Sequence, residues 1–363
     1  MPVNIGFIGT GMIALQHGQA LQMLDRPLRI RAAYDIDAAN ARTFAEQTGA
    51  QCCSSVQQLL AMDLDAVYIC TRHDSHHALV RAAAQADKAI FCEKPLALEP
   101  DQAEDMVDLV TRRDIPFTVG FNHRFSPGVM ELKRRVQGKL PRSMHVSLVS
   151  PPFLHGWAGL PDVGGGILHC LGSHVFDLTC HLMGTAPDDL AAFTERQRVA
   201  DDHLDDTAVA IMRFPGGRLA SMQFHDNGTT PYSVDPEAAL VRLEVFLDGQ
   251  VAGGYPLRSM HFDQGEGMDY FSVPDPRRVV SWGYEGINRH FVQYLTGELK
   301  HPPVSIQEAL TIVKLVHAAH TSQITGSVVR ISDDQRDTLY RGTPCCDTPY
   351  RNTAFRAAGK AAE

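Results

Sequence analysis

The chain lacks any uninterrupted apolar run near the roughly 18–20 residues that a membrane-spanning helix needs, which excludes a helical membrane span. It also lacks a run of Lys or Arg long enough to override its acidic balance. With 33 basic against 42 acidic side chains and a formal charge of −9, a general nucleic-acid surface is not expected. None of the eight cysteines forms a C-x-x-C knuckle, and their spacing over 363 residues suggests no disulfide framework. They read as reduced thiols packed as small apolar groups, with Cys170 set apart for reasons given below. Internal repeats and low-complexity tracts are missing too. The opening MPVNIGFIG has neither a basic n-region nor a cleavage site, so the expected location is cytoplasmic.

What is present is an ordinary globular composition, 44% hydrophobic and 21% charged, on a chain long enough for two domains. Strand-like runs at Asn4–Ile8, Leu28–Tyr34, Ala66–Cys70, Ala89–Cys92 and Phe117–Phe121 alternate with amphipathic stretches at Ala38–Thr48, His76–Ala86 and Pro100–Arg113. That alternation predicts a doubly wound parallel sheet over residues 1–121. Beyond it, Ser143–Ser150, Thr207–Phe214, Arg218–His225 and Leu240–Leu247 read as longer strands, several joined by short turns. They predict an α+β domain over 122–333 with a large, mainly antiparallel sheet. Helices are expected at Ile167–Met183, Gly286–Thr296 and Ile306–Thr325, and residues 334–363 read as a C-terminal arm.

In NIGFIGTGMIA, Gly9, Gly11 and Ala14 form G-x-G-x-x-A between a strand and a helix. Gly9 permits the tight turn, Gly11 the approach of a pyrophosphate, and Ala14 close helix–strand packing; Thr10, Met12 and Ile13 belong to the same turn. Asp35 ends the second strand, where a carboxylate accepts hydrogen bonds from ribose hydroxyls and repels a 2′-phosphate. No arginine follows it directly, so the expected cofactor is NAD.

FCEKPLAL places Glu93–Lys94–Pro95 at a strand's C-terminal edge, where ligands bind in doubly wound sheets. With this E-K-P the chain resembles the glucose–fructose oxidoreductase / inositol dehydrogenase (Gfo/Idh/MocA) family. TRHDSH (Thr71–His76) is similar to the family's T-P-x-x-x-H, with Arg72 in place of proline, and GFNHRFSP (Gly120–Pro127) to its domain junction. GGGILHCLGSHVFDL matches its G-G-G-x-L-x-D-x-G-x-H segment except at Cys170. The resemblance implies that Thr71, Arg72, His76, Glu93 and Asn122 flank the cofactor. Lys94 would lie between nicotinamide ribose and substrate hydroxyl, and His174 would be the catalytic histidine. Asn122, His123 and Arg124 would line the cleft, with Trp157 and His169 also facing substrate. Stretches Phe153–Trp157 and His225–Tyr232 would border the pocket, and the second domain's sheet would build a homodimer or homotetramer.

Cys170 stands where the family has an aspartate, one helical turn before His174. A carboxylate orients an imidazole and stabilises its protonated form; a thiol with a pKa near roughly 8.5 does so poorly. His169 or Asp177 is expected to take over that role if catalysis is of the usual kind. At helical spacing Cys170, His174, Asp177 and His181 would share one face. Yet Cys170 and His181 would lie about 16 Å apart along a helix, too far to enclose one ion, and no third ligand suggests itself for the Cys170–His174 pair. No metal is expected, and a Cys170 nucleophile has no further signature.

The expected function is therefore NAD-dependent oxidation of a secondary alcohol on a sugar, cyclitol or related polyol, or the reverse reduction. Lys94 and His174 would handle the proton, with Cys170 beside them. Alternatives are a dihydrodiol dehydrogenase, an NAD-assisted redox-neutral glycoside-processing enzyme, and, because of Cys170, a non-catalytic NAD or sugar sensor.

Overall fold

The computed structural model describes residues 2–136, 138–151, 154, 156–197, 205–226, 240–263, 265 and 267–331. The arm at 334–363, the cysteine pair at 345–346 and most of the two stretches expected beside the pocket lie outside them.

The first sheet contains β1 (Val3–Ile8), β2 (Leu28–Tyr34), β3 (Gln51–Cys52), β4 (Ala66–Ile69), β5 (Ala89–Cys92) and β6 (Phe117–Val119). All neighbours pair in parallel, in the order β3-β2-β1-β4-β5-β6. The order reverses at β1, so the crevice beyond the C-terminal ends of β1 and β4 is where a doubly wound sheet takes its ligand. Helices α1 (Met12–Met23), α2 (Ala38–Thr48), α3 (Val56–Leu60), α4 (His76–Gln85) and α5 (Pro100–Arg112) form the crossovers. Strands β4, β5 and β6 are buried along their whole length, as parallel strands covered on both faces must be.

A short 3-10 turn at Asn122–Phe125 and helix α6 (Pro127–Val136) lead into the second sheet. Its strands are β7 (Ser143–Val149), β8 (Asp189–Glu195), β9 (Thr207–Phe214), β10 (Arg218–His225), β11 (Leu240–Leu247), β12 (Gln250–Tyr255), β13 (Ser259–Asp263), β14 (Met268–Ser272) and β15 (Val329–Arg330). The order is β14-β13-β12-β11-β7-β10-β9-β8-β15, antiparallel except between β7 and β10. Helix α7 (Ser173–Met183) and α10 (Ile306–Thr325) pack on one face; α8 (Arg278–Ser281) and α9 (Tyr284–Leu295) instead pack on α1. From Ala208 to Phe214 in β9 buried and exposed side chains alternate, the period of a sheet covered on one side.

One predicted element differs. The expected helix over Ile167–Met183 begins as a π-turn at Leu168–Gly172 and becomes α-helical only from Ser173. The preceding glycines explain the close packing there. A Cβ on Gly164, whose φ is +85°, would lie 2.3 Å from Leu98 Cδ2, and one on Gly165 would lie 2.5 Å from the Ala158 carbonyl oxygen. The segment is thus pressed between the His73 loop and the 158–160 turn, and the wider turn re-phases Cys170 against the helix that follows.

Candidate active site

The glycine turn after β1 is held by its neighbours. Gly9 has φ +81° and a Cβ there would meet the Cys70 carbonyl oxygen at 2.6 Å, so only glycine fits. Gly11 caps α1 with no side-chain hydrogen bond, has open space where a Cβ would be, and no acidic residue occupies the first turn. The free N–H groups of that turn and the room above Gly11 suit a pyrophosphate. Exposed Met12 and part-buried Ile13 follow on α1. Asp35 Oδ2 accepts from the Thr10 N–H at 2.7 Å and from its hydroxyl at 3.1 Å, tying the end of β2 to the turn. These residues fit NAD. A hollow of about 540 Å³ lined by Leu21, Arg26, Leu28 and Arg31 opens at the start of β2, the opposite edge of the sheet.

Across the crevice, Lys94 precedes a cis Pro95. Its Nζ donates to the Cys170 main-chain carbonyl at 2.8 Å, a contact between the first domain's E-K-P loop and the π-turn. His174, on the first turn of α7, stacks on His123 with ring centroids 4.3 Å apart and planes at 18°. Both rings are buried; both His123 nitrogens and His174 Nδ1 have no hydrogen-bond partner among the described residues. Burial first, then the charges of Lys94 and Arg278, lower the His123 pKa to about 3. Burial, Lys94, His123 and His73 hold His174 well below the usual imidazole value, so its ring is neutral at neutral pH.

The Cys170 thiol points to the Gly164 carbonyl at 3.5 Å and is packed with Leu154 and Ala158. Burial, reinforced by Asp205 and Asp226 and opposed by Lys94, pushes it up to about 12. It is a poor nucleophile there. Trp157 remains partly exposed and meets His73 edge-on at 4.8 Å; His73 Nδ1 in turn contacts the Gly164 carbonyl. Asn122 donates to the Trp282 carbonyl at 2.8 Å. Thr71 and Arg72 sit at the β4 end, Thr71 against Gly9 and Arg72 paired with Asp74 at 3.0 Å.

Several expectations need correction. Arg124 does not face the cleft: it is 3% exposed, its Nε donates to Asp177 Oδ2 at 2.8 Å and its Nη1 to Glu308 Oε1 at 2.9 Å. That pairing also occupies Asp177, which is therefore not the group orienting His174. His169 stacks on His320 at 5.3 Å and does not take that role either. His76 is fully buried, its ring nitrogens 2.8 Å from the Pro95 carbonyl and 3.2 Å from that of Thr71, so it supports the E-K-P loop and cannot touch cofactor. Among the described residues no group of three or more His, Cys, Asp or Glu is arranged to hold a metal ion.

Residues the sequence did not nominate complete the site. Arg278 lies 4.4 Å over the Trp282 ring, which meets His123 edge-on at 5.5 Å. His17 of α1 contacts Glu93 at 2.8 Å and Asn288 of α9 at 2.8 Å. No short-range motif marks these, because their partners are remote in the chain.

A glycine turn opening a helix at the switch point of a parallel sheet, with an acid ending the next strand, defines a dinucleotide-binding oxidoreductase fold. Residues 3–121 match the oxidoreductase family with an NAD-binding Rossmann fold, Gfo/Idh/MocA, and residues 137–249 match the Gfo/Idh/MocA C-terminal domain. The chain belongs to this family, and NAD is its cofactor. It is 28% identical over 281 residues to a myo-inositol 2-dehydrogenase of Thermotoga maritima, covering 74% of this chain and 82% of that protein. Two solved structures share the fold: a levoglucosan dehydrogenase in complex with NADH and levoglucosan (TM-score 0.79, 18% identity, 92% and 100% of the two chains), and an oxidoreductase from Agrobacterium radiobacter in complex with NAD+, L-tartaric acid and magnesium (TM-score 0.78, 22% identity, 91% and 98%). Among the described residues no helix is long and apolar enough to cross a membrane.

Proposed function

We propose that this protein is an NAD-dependent dehydrogenase that oxidises a secondary alcohol of a sugar, cyclitol or related polyol to a ketone, or runs the reverse. The observation that carries the reading is that Lys94, whose Nζ donates to the Cys170 carbonyl at 2.8 Å, lies near enough to the buried His174 for its charge to disfavour protonation of that ring. The myo-inositol 2-dehydrogenase relative supports the substrate class.

Gly9, Gly11 and the α1 N-terminus would hold the pyrophosphate, and Asp35 the adenosine ribose. The bound nicotinamide supplies a hydride acceptor. Lys94 has three N–H donors; one goes to Cys170, leaving others for the substrate oxygen, whose developing negative charge the ammonium stabilises. His174 takes the hydroxyl proton. Its imidazolium form is disfavoured beside Lys94 and in a buried site, so the ring gives the proton up readily and returns to neutral. Trp157, half in solvent beside His73, offers an apolar face to the C–H side of a sugar ring.

A second copy of the chain would cover the outer face of the second sheet. Phe193 (70% exposed) and Ile211 (54%), with Val209 and Leu219, lie on the neighbouring strands β8, β9 and β10, and exposed Phe246 lies on β11 beyond β7. Such a patch suits a homodimer or homotetramer, and Phe193→Asp with Ile211→Asp should yield monomers by light scattering.

The test of activity is NADH absorbance with NAD and a panel of inositols and sugars. Turnover is expected on at least one, with Lys94→Ala and His174→Ala each lowering kcat by about 10²–10⁴-fold, the usual worth of a proton-transfer group. Variants retaining wild-type turnover would refute the assignment, and a requirement for NAD without net NADH would favour a redox-neutral reaction.

A further inference from the structure

We propose that His17 and Asn288 are positioning residues for Lys94, acting through the Glu93 carboxylate. Lys94 is taken as the reacting lysine, so the inference rests on the function proposed above.

The chain of contacts is continuous, and it is buried from Tyr68 as far as Glu93. Tyr68 on β4 donates its hydroxyl to Asn288 Oδ1 at 2.8 Å, and Asn288 Nδ2 lies 2.7 Å from the Tyr284 carbonyl and 2.8 Å from His17 Nδ1. His17 Nε2 lies 2.8 Å from Glu93 Oε1, and Glu93 Oε2 accepts the Lys94 main-chain N–H at 3.1 Å. His17, Tyr68 and Asn288 are 0% exposed and Glu93 is 5% exposed.

The donors can be assigned from the partners. A carbonyl only accepts, so the Asn288 atom facing Tyr284 is its NH2 group, whose second hydrogen points at His17 Nδ1. Nδ1 therefore accepts, the ring proton sits on Nε2, and that proton is given to Glu93. The ring has no freedom to do otherwise: it packs edge-on against Phe91 at 4.7 Å and Tyr284 at 5.1 Å. His17 is too deeply buried to touch either ligand, which makes it a positioning residue and not a catalytic one.

Two anchors hold Lys94, its Nζ on the Cys170 carbonyl and its main-chain N–H on Glu93. Removing the His17 donor leaves Glu93 Oε1 buried and unpaired, a cost the carboxylate escapes by turning away. The main-chain anchor is then lost. Because Asn288 stands on α9, the second domain sets the tautomer that fixes the first domain's lysine.

The test uses the full chain with bound NADH, imidazole ¹⁵N spectra of His17 and the ¹⁵Nζ signal of Lys94, assigned by its loss in Lys94→Arg. The wild type should show the Nε2–H tautomer. His17→Phe, which fills the ring volume without hydrogen bonds, should shift or broaden the Lys94 signal while NADH affinity changes less than about threefold. His17→Gln, able to accept from Asn288 and donate to Glu93, should restore it. On any polyol that reduces NAD, His17→Phe should lower kcat about 10²-fold, the scale of an ångström's misplacement, with KM nearly constant. An Nδ1–H tautomer, or an undisturbed Lys94 signal in folded His17→Phe, overturns the proposal. Should His17→Phe not fold, the wild-type tautomer decides it: Nε2–H upholds the proposal and Nδ1–H overturns it. If no polyol is turned over, the reaction assignment fails while the spectra still judge the positioning.

Discussion

Lys94 reaches the π-turn through the main-chain oxygen of Cys170, not through its side chain: Nζ lies 2.8 Å from the carbonyl while the thiol bonds the Gly164 carbonyl at 3.5 Å. The residue that departs from the family pattern thus serves the lysine with the one group every amino acid has.

Cys170→Ala should therefore leave kcat/KM within about twofold, since a thiol raised to about 12 offers neither nucleophile nor base at neutral pH. The cost should fall on stability, about 1 kcal/mol for a small buried side chain and its weak hydrogen bond. Steady-state kinetics beside a urea melt separate the two. A loss of activity beyond tenfold would show that the sulfur has chemistry of its own.

His174 is held neutral by burial and by Lys94, His123 and His73, so the acid limb of kcat/KM should fall below pH 6.5. His123→Phe removes one of those neighbours and should move the limb upward. Rate profiles between pH 4 and 8 check this; a wild-type limb at or above the free-imidazole value of about 6.5 would place the base elsewhere.

The cofactor end was legible in the sequence because its signals are local: Gly9, Gly11, Ala14 and Asp35 fall within one strand–helix–strand unit. So were helices with strong ends, such as Ile306–Thr325, whose Ser305–Glu308 capping box and left-handed Gly326 mark both boundaries. The π-turn was not, because it follows from the packing of Gly164 and Gly165 against distant loops. The family resemblance places Arg124 in the cleft together with Asn122 and His123. Its partners Asp177 and Glu308 lie 53 and 184 positions away, and only the fold reveals that it faces them. His17 carries no signal in the helix pattern, since its partners Glu93 and Asn288 come from other elements.

Arg124→Met should show that this arginine is structural. Leaving Asp177 and Glu308 buried without their cation costs about 3–5 kcal/mol, so chemical denaturation should register a large loss. Pairing the change with Asp177→Leu should recover part of it, and substrate KM in any folded variant should stay near wild type. A KM raised tenfold with stability intact would return Arg124 to the cleft.

Gly120→Ala tests how Glu93 is seated. An added methyl would stand 2.4 Å from Glu93 Oε1, against a carboxylate already fixed by His17 and the Lys94 main chain. Overpacking of this kind costs about 1–3 kcal/mol. Turnover should fall further than NADH affinity, because the displaced group belongs to the lysine loop. Equal losses in both would point to general damage.

Acid should destabilise the protein well before its carboxylates protonate. Burial lowers the pKa of His123 and of His169 to about 3, and His73, His174 and His181 are likewise held well below 6.5. Below pH 6.5 the unfolded chain takes up protons that these rings refuse, so stability declines as pH falls from 6.5 toward 3. At pH 5 each of His123 and His169 would contribute a loss of about 2 kcal/mol, taking 1.36 kcal/mol per unit. Melting temperature should drop steadily from pH 7 to pH 5, and replacing His123 with Phe should flatten that slope by about one proton. A melting temperature independent of pH across this window would mean that the buried histidines titrate in the folded state as freely as in the unfolded chain.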